Sequence, residues 1–138
     1  MDAFDSDVLI DAAVPGHPLG RRVAVLLEPR TPVGASGTGS LLLLPELLAK
    51  SLRDGGSEEV RALSVILSRL ELRPLDRATA ELATALAVRY GLHAADAVHL
   101  ATAVGVGADR FITNNRRDFP AAAISEVEVV HPADLPPA

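Results

Sequence analysis

Four carboxylates sit among apolar or small neighbours. Asp5 lies in Phe4-Asp5-Ser6-Asp7-Val8, Glu46 in Leu43-Leu44-Pro45-Glu46-Leu47-Leu48, Asp96 in His93-Ala94-Ala95-Asp96-Ala97-Val98, and Asp118 in Asn115-Arg116-Arg117-Asp118-Phe119. If they converge, like charges crowd one pocket, and they stay ionised only if a cation neutralises them; otherwise their pKa values rise. The chain has no Cys, and oxygen-only ligation suits Mg²⁺ or Mn²⁺ rather than zinc. Such a site activates water and stabilises an in-line phosphoryl transition state. The chemistry expected is metal-dependent phosphodiester hydrolysis.

These side chains need elements to aim them. Ala3 to Asp5 reads as a short strand turning directly into a helix from Ser6 to about Val14, stopped by Pro15-Gly16. Taken alone, Asp5 reads as the helix cap. Beside Glu46 and Asp96 it reads as the anchor of a site, and the cap falls to Ser6 or Asp7. A helix follows over His17 to Glu28, then a second strand over Thr31 to Ala35. Ser36-Gly37-Thr38-Gly39-Ser40 lacks the Gly-Lys-Ser/Thr ending of a phosphate loop and reads as a strand-to-helix turn capped by Thr38 or Ser40. Helices are expected over Leu41 to Arg53, Ser57 to Leu70, Arg77 to Tyr90 (capped by Asp76, closed by Gly91) and His93 to Val106. Pro45 would kink the first of these and aim Glu46. Further strands are expected over Leu72 to Leu75, Arg110 to Thr113 and Val127 to Val130, with a frayed tail from about His131. Alternating strands and helices imply an α/β fold, a parallel sheet of about five strands flanked by helices in three layers.

Composition narrows the function classes. With 138 residues, 49% hydrophobic and 22% charged, one domain over 1–138 can bury its own core. The net charge of −5 argues against binding nucleic acid through bulk charge, but not against an enzyme whose metal reverses the local field. No apolar run, Leu41 to Leu44 among them, approaches the roughly 20 residues that span a bilayer. The start, Met1-Asp2, has no basic leader, and a cytoplasmic chain without membrane partners is the expectation.

Four blocks in order carry a family resemblance: Asp5-Ser6-Asp7-Val8-Leu9-Ile10, the Leu-rich block around Glu46, Asp96-Ala97-Val98-His99-Leu100-Ala101-Thr102-Ala103, and Phe111-Ile112-Thr113-Asn114-Asn115 through Asp118-Phe119. Together they resemble the PIN domain, and within it the VapC-type toxins of bacterial toxin–antitoxin pairs. The resemblance implies a Mg²⁺- or Mn²⁺-dependent ribonuclease restrained by a cognate antitoxin. Asp5 and Asp96 would be the principal metal ligands and Glu46 would complete the site, directly or through water. Ser6 and Thr113 would be hydroxyls that hold carboxylates or waters. Relatives often carry Asp where this chain has Asn115, and Asp118 is then the candidate fourth carboxylate. Asp7 stands where relatives commonly have Asn, as a more acidic cap or as an addition to the negative pocket.

Arg116 and Arg117, with Arg110, could form a basic rim for RNA phosphates. His99 reads as a packed, hydrogen-bonded residue, and His17 and His131 as solvated. The apolar faces of Val8 to Val14, Leu19 to Leu27 and Leu41 to Leu48 exceed what one small core needs, which suggests a homodimer or an antitoxin segment. Two alternatives stand: a PIN-like binding module with a degenerate site, and a haloacid-dehalogenase-like phosphatase starting from Asp5-Ser6-Asp7. The latter needs a Lys at its site, and Lys50 is the only one.

Overall fold

The computed structural model, describing residues 1–138, starts with a strand of three residues, β1 (Asp2–Phe4), at the centre of a sheet. It is followed by α1 (Ser6–Ala13), α2 (Pro18–Leu26), β2 (Gly37–Ser40), α3 (Leu43–Arg53), α4 (Ser57–Ser68), β3 (Leu70–Arg73), α5 (Arg77–Tyr90), α6 (Ala94–Gly105), β4 (Arg110–Ile112) and β5 (Glu128–Val130). All strand pairs are parallel, in the order β3-β2-β1-β4-β5. The chain builds outward from β1 on one side and then returns to its other side at β4. That reversal makes a switch point, and side chains leaving the carboxyl ends of β1 and β4 face the resulting crevice.

Strand alternation divides the core into two halves. Ala3, Phe111 and Val129 point to one face and pack with Ala83, Leu86, Ala97, Leu100 and Ala101 of α5 and α6. Phe4 and Ile112 point to the other and pack with Val8, Leu9, Val23, Leu43, Leu47, Leu63 and Leu67 of α1 to α4. The result is three layers. The helical apolar residues expected to be surplus are therefore mostly consumed by the second half-core. Ile10, Val14, Val25, Leu41 and Leu44 remain exposed.

Several expectations need correction. The second strand is Gly37–Ser40, and the expected Thr31 to Ala35 is irregular, with Val33 83% exposed. Gly-Thr-Gly-Ser has poor strand propensity, but all four residues are buried between β1 and β3. A Cβ at Gly37 would lie 2.4 Å from the Phe4 ring and 2.9 Å from the Asp2 carbonyl oxygen, and one at Gly39 2.5 Å from Leu43. Glycine is required there by close approach. Thr38 is thus a strand residue, its hydroxyl donating to the Glu71 carbonyl oxygen, and Leu42 N–H bonds the Ser40 hydroxyl at 3.1 Å. β3 begins at Leu70 rather than Leu72. Pro45 falls in the first turn of α3, where its missing N–H costs little, so no kink is needed.

The tail is docked rather than frayed. Leu135 is buried, and Arg22 donates to the carbonyl oxygens of Ala133 and Leu135 at 2.9 and 3.0 Å. His131, expected in solvent, is buried with Nε2 2.9 Å from the Phe119 carbonyl oxygen. His17 is also engaged, capping α2 by accepting from Gly20 N–H.

Candidate active site

β1 ends at Phe4, and the next residue carries the centre of the site. Asp5 is 4% exposed, and its backbone N–H continues the β4 ladder to the Ile112 carbonyl oxygen. One carboxylate oxygen accepts from Ser6 N–H at 2.8 Å and the other from the Thr113 hydroxyl at 2.8 Å. Asp5 is therefore itself the cap of α1, in place of Ser6 or Asp7. Capping and site geometry share one side chain, because the cap bond occupies only one oxygen. Ser6 meets Asp5 through its backbone N–H rather than its hydroxyl.

Thr113 joins this aspartate to the loop beyond β4. It is fully buried, and its hydroxyl also accepts from Asn115 N–H at 3.1 Å. Asn115 and Asp118 form a reciprocal pair: Asn115 Nδ2 donates to Asp118 Oδ2 at 2.9 Å, and Asp118 N–H donates to Asn115 Oδ1 at 3.1 Å. The loop is pinned by Phe119, buried edge-to-face against Phe111 at 5.2 Å. Asn115 thus fixes Asp118 instead of competing with it. Asp7 bonds the Asn114 N–H and ties α1 to the same loop. Burial first, and then the Asp5 charge, push its pKa up to about 6.

α6 and α3 complete the constellation. Asp96, in the first turn of α6, holds its proton more tightly than a free aspartate, through burial and then the charges of Asp5 and Asp118. One turn on, His99 is buried and bonds Glu46, in the first turn of α3, through Nε2. Burial pulls the His99 pKa down, but the bond to Glu46 and the charges of Asp5, Glu46 and Asp96 outweigh it, and the net direction is up. Asp5, Asp96, Asp118 and Glu46 with His99 therefore share one electrostatic neighbourhood at the carboxyl end of the sheet.

The basic rim is smaller than expected. Arg110 begins β4 at the opposite end of the sheet, where it makes a two-pronged pair with Asp2 at 3.0 and 2.8 Å. Arg116 is exposed and pairs with Asp134 at 3.4 Å, and Arg117 is exposed. Lys50 is exposed in the last turn of α3. A recess lined by Arg73, Asp76, Thr79, Leu82 and Thr102 contains none of the four carboxylates, so charge rather than concavity identifies the site.

No three of the His, Asp and Glu side chains stand in a ready ligating arrangement. The donor set nevertheless fits a hard divalent cation. It offers carboxylate oxygens, and one of its members, Asp96, bears beside its burial a repulsion from Asp5 and Asp118 that a cation would relieve. His99 is packed and hydrogen-bonded, as its place on an apolar helix face suggests, and only its partner across the fold, Glu46, has no local signal beyond a His three residues after a carboxylate on one helix.

A family model described as the PIN domain matches residues 3–125. A toxin–antitoxin complex from Klebsiella pneumoniae is similar at a TM-score of 0.74 and 26% identity, over 96% of this chain and 98% of that one. VapBC2 from Rickettsia felis, solved with a DNA fragment from its promoter, is similar at 0.69 and 18% identity, over 94% and 97%. No curated protein matches the chain by sequence.

Proposed function

The chain belongs to the PIN domain family, and from that membership we propose that it is a metal-dependent endoribonuclease, the toxin of a VapBC-type toxin–antitoxin pair. One observation carries the reading. Asp96 feels the charges of Asp5 and Asp118 where β1 and β4 end, at the switch point of a parallel sheet. Asp5 and Asp96 would hold the cation, with Glu46 and Asp118 completing the donor set. Mg²⁺ or Mn²⁺ bound there supplies a water of lowered pKa and a positive charge for the phosphoryl oxygens. The chain does the positioning. Thr113 holds Asp5, Asn115 holds Asp118, and Glu46 orients the water. Arg117, with Arg116, takes the RNA phosphates.

The antitoxin assignment draws on the Klebsiella complex and on an open groove between α1 and α4. Ala12, Ala13, Ala62, Val65 and Ile66 give that groove an apolar floor, with Glu58 and Arg61 at its edge, suited to an amphipathic segment. A small adjacent reading frame encoding a DNA-binding half would support it, and a gene standing alone would count against it.

The decisive experiment incubates wild type and Asp96→Asn with a broad RNA panel in Mg²⁺ or Mn²⁺, with and without chelator. Wild type should cleave only with metal. Asp96→Asn should lose about 10²-fold or more in kcat, since it removes a charge aimed at the reacting centre. If wild type and variant leave every RNA equally intact, the reading fails.

A further inference from the structure

Glu46 is held by one side chain only. Its carboxylate accepts from His99 Nε2, and it makes no other hydrogen bond within the protein. His99 lies in the buried run Ala97–Ala103 of α6, in which it is the sole ionisable residue. The other polar side chain of that run, Thr102, closes on its own helix by donating to the Val98 carbonyl oxygen at 2.8 Å. His99 instead reaches across to α3. Its second ring nitrogen, Nδ1, is buried with no partner.

That orphan nitrogen decides between packing and function. A buried imidazole with one unsatisfied nitrogen is less favourable than a leucine of similar bulk, because the nitrogen has given up water without replacement. The loss is offset only by what Nε2 does for Glu46. A carboxylate can only accept, so Nε2 carries the proton and the bond fixes one of the two Glu46 oxygens. The other oxygen is left as the one Glu46 can turn towards the cation or its water.

We propose that His99 is the positioning residue for Glu46, clamping one carboxylate oxygen so that the side chain serves the metal pocket through the other alone. This rests on the metal-dependent reading above. The role resembles the outer hydrogen bonds that orient ligands in metal sites generally, whose removal costs about 10- to 100-fold in affinity or activity.

The test titrates MnCl₂ into the full-length chain by calorimetry, beside thermal unfolding in chelator and RNA cleavage. His99→Leu keeps the bulk and removes the donor, and Mn²⁺ affinity and kcat should each fall by about 10- to 100-fold, with KM for RNA little changed. Its metal-free Tm should equal or exceed that of wild type. His99→Gln places an amide N–H near the position of Nε2 and should restore affinity towards wild type, whereas His99→Asn, too short to reach, should not. In the cycle with Glu46→Gln, adding His99→Leu should cost nothing further.

The inference is overturned if His99→Leu binds Mn²⁺ like wild type, if leucine rescues better than glutamine, or if the two losses simply add. Should His99→Leu fail to fold, the contrast of Gln with Asn decides the matter. Wild type that binds no Mn²⁺ and cleaves nothing brings down the metal reading, and this inference with it. Wild type that binds and cleaves while the His99 variants match it refutes only the inference.

Discussion

Asp7 is the residue in which the electrostatics of the site can be read most directly. Its folded pKa of about 6 lies above the ordinary aspartate value, with burial as the main cause and Asp5 next. A group whose folded pKa is raised contributes stability that is complete at low pH and is lost as pH rises through the folded value. The metal-free protein should therefore lose stability between about pH 4 and pH 6, by about 2 kcal/mol from this group. Asp7→Asn keeps an acceptor for Asn114 N–H and removes the charge. In urea unfolding with chelator it should exceed wild type by about that amount at pH 7 and match it near pH 4. A variant less stable at pH 7, or equally offset at both, would contradict this account. Asp5, Glu46 and Asp96 stand out in the sequence as acidic residues in apolar or small-residue settings. Asn115 was legible only as a departure, because its role in holding Asp118 depends on a three-residue turn that composition does not specify.

Among the elements, the strand most at odds with its sequence is β2. Helix α5 announces itself through its cap and spacing, Asp76 accepting from Thr79 N–H at 2.9 Å, and α6 through its run of small and apolar residues without a side-chain cap. β2 announces nothing, since Gly37-Thr38-Gly39-Ser40 looks like a turn. It is a strand because β1 and β3 occupy both its edges and Phe4 and Leu43 press where side chains would stand. Gly37→Ala should therefore cost about 1–3 kcal/mol through overpacking against a ring and a backbone carbonyl. Gly105→Ala, whose new methyl meets nothing within 4 Å, should unfold no earlier than wild type. Chemical denaturation of the pair checks this, and equal effects would mean that β2 is not packed as described.

At the scale of the whole molecule, three layers leave the apolar residues unevenly distributed. α1 to α4 bury most of theirs against the sheet, yet Ile10, Val14, Val25, Leu41 and Leu44 stay exposed, as do Leu75 and Val88 of the α5 side. Residues of this kind suit self-association, and a homodimer is the expected state of the isolated chain. Light scattering across micromolar concentrations should report twice the chain mass; monomer throughout would remove the proposal. The tail acts at this scale too. Through Arg22, His131 and Leu135 it ties α2 to the loop that bears Asp118. A stretch ending in Pro136-Pro137 reads as loose when seen alone, and only the buried seat for Leu135 makes it part of the core.

By itself the sequence determined the alternation of strands and helices, the Asp76 and Gly91 caps of α5, and which carboxylates stand in apolar or small-residue surroundings. These depend on periodicity, propensity and nearest neighbours, which are local properties. Only the tertiary structure decided that a glycine-rich turn becomes a buried strand and that Asp5 both caps a helix and faces the crevice. It alone decided that Asn115 and Asp118 are partners, and that His99 crosses from one helix to hold Glu46 on another. Each of those depends on groups brought together by folding, and contacts between distant residues leave no periodic trace in the chain.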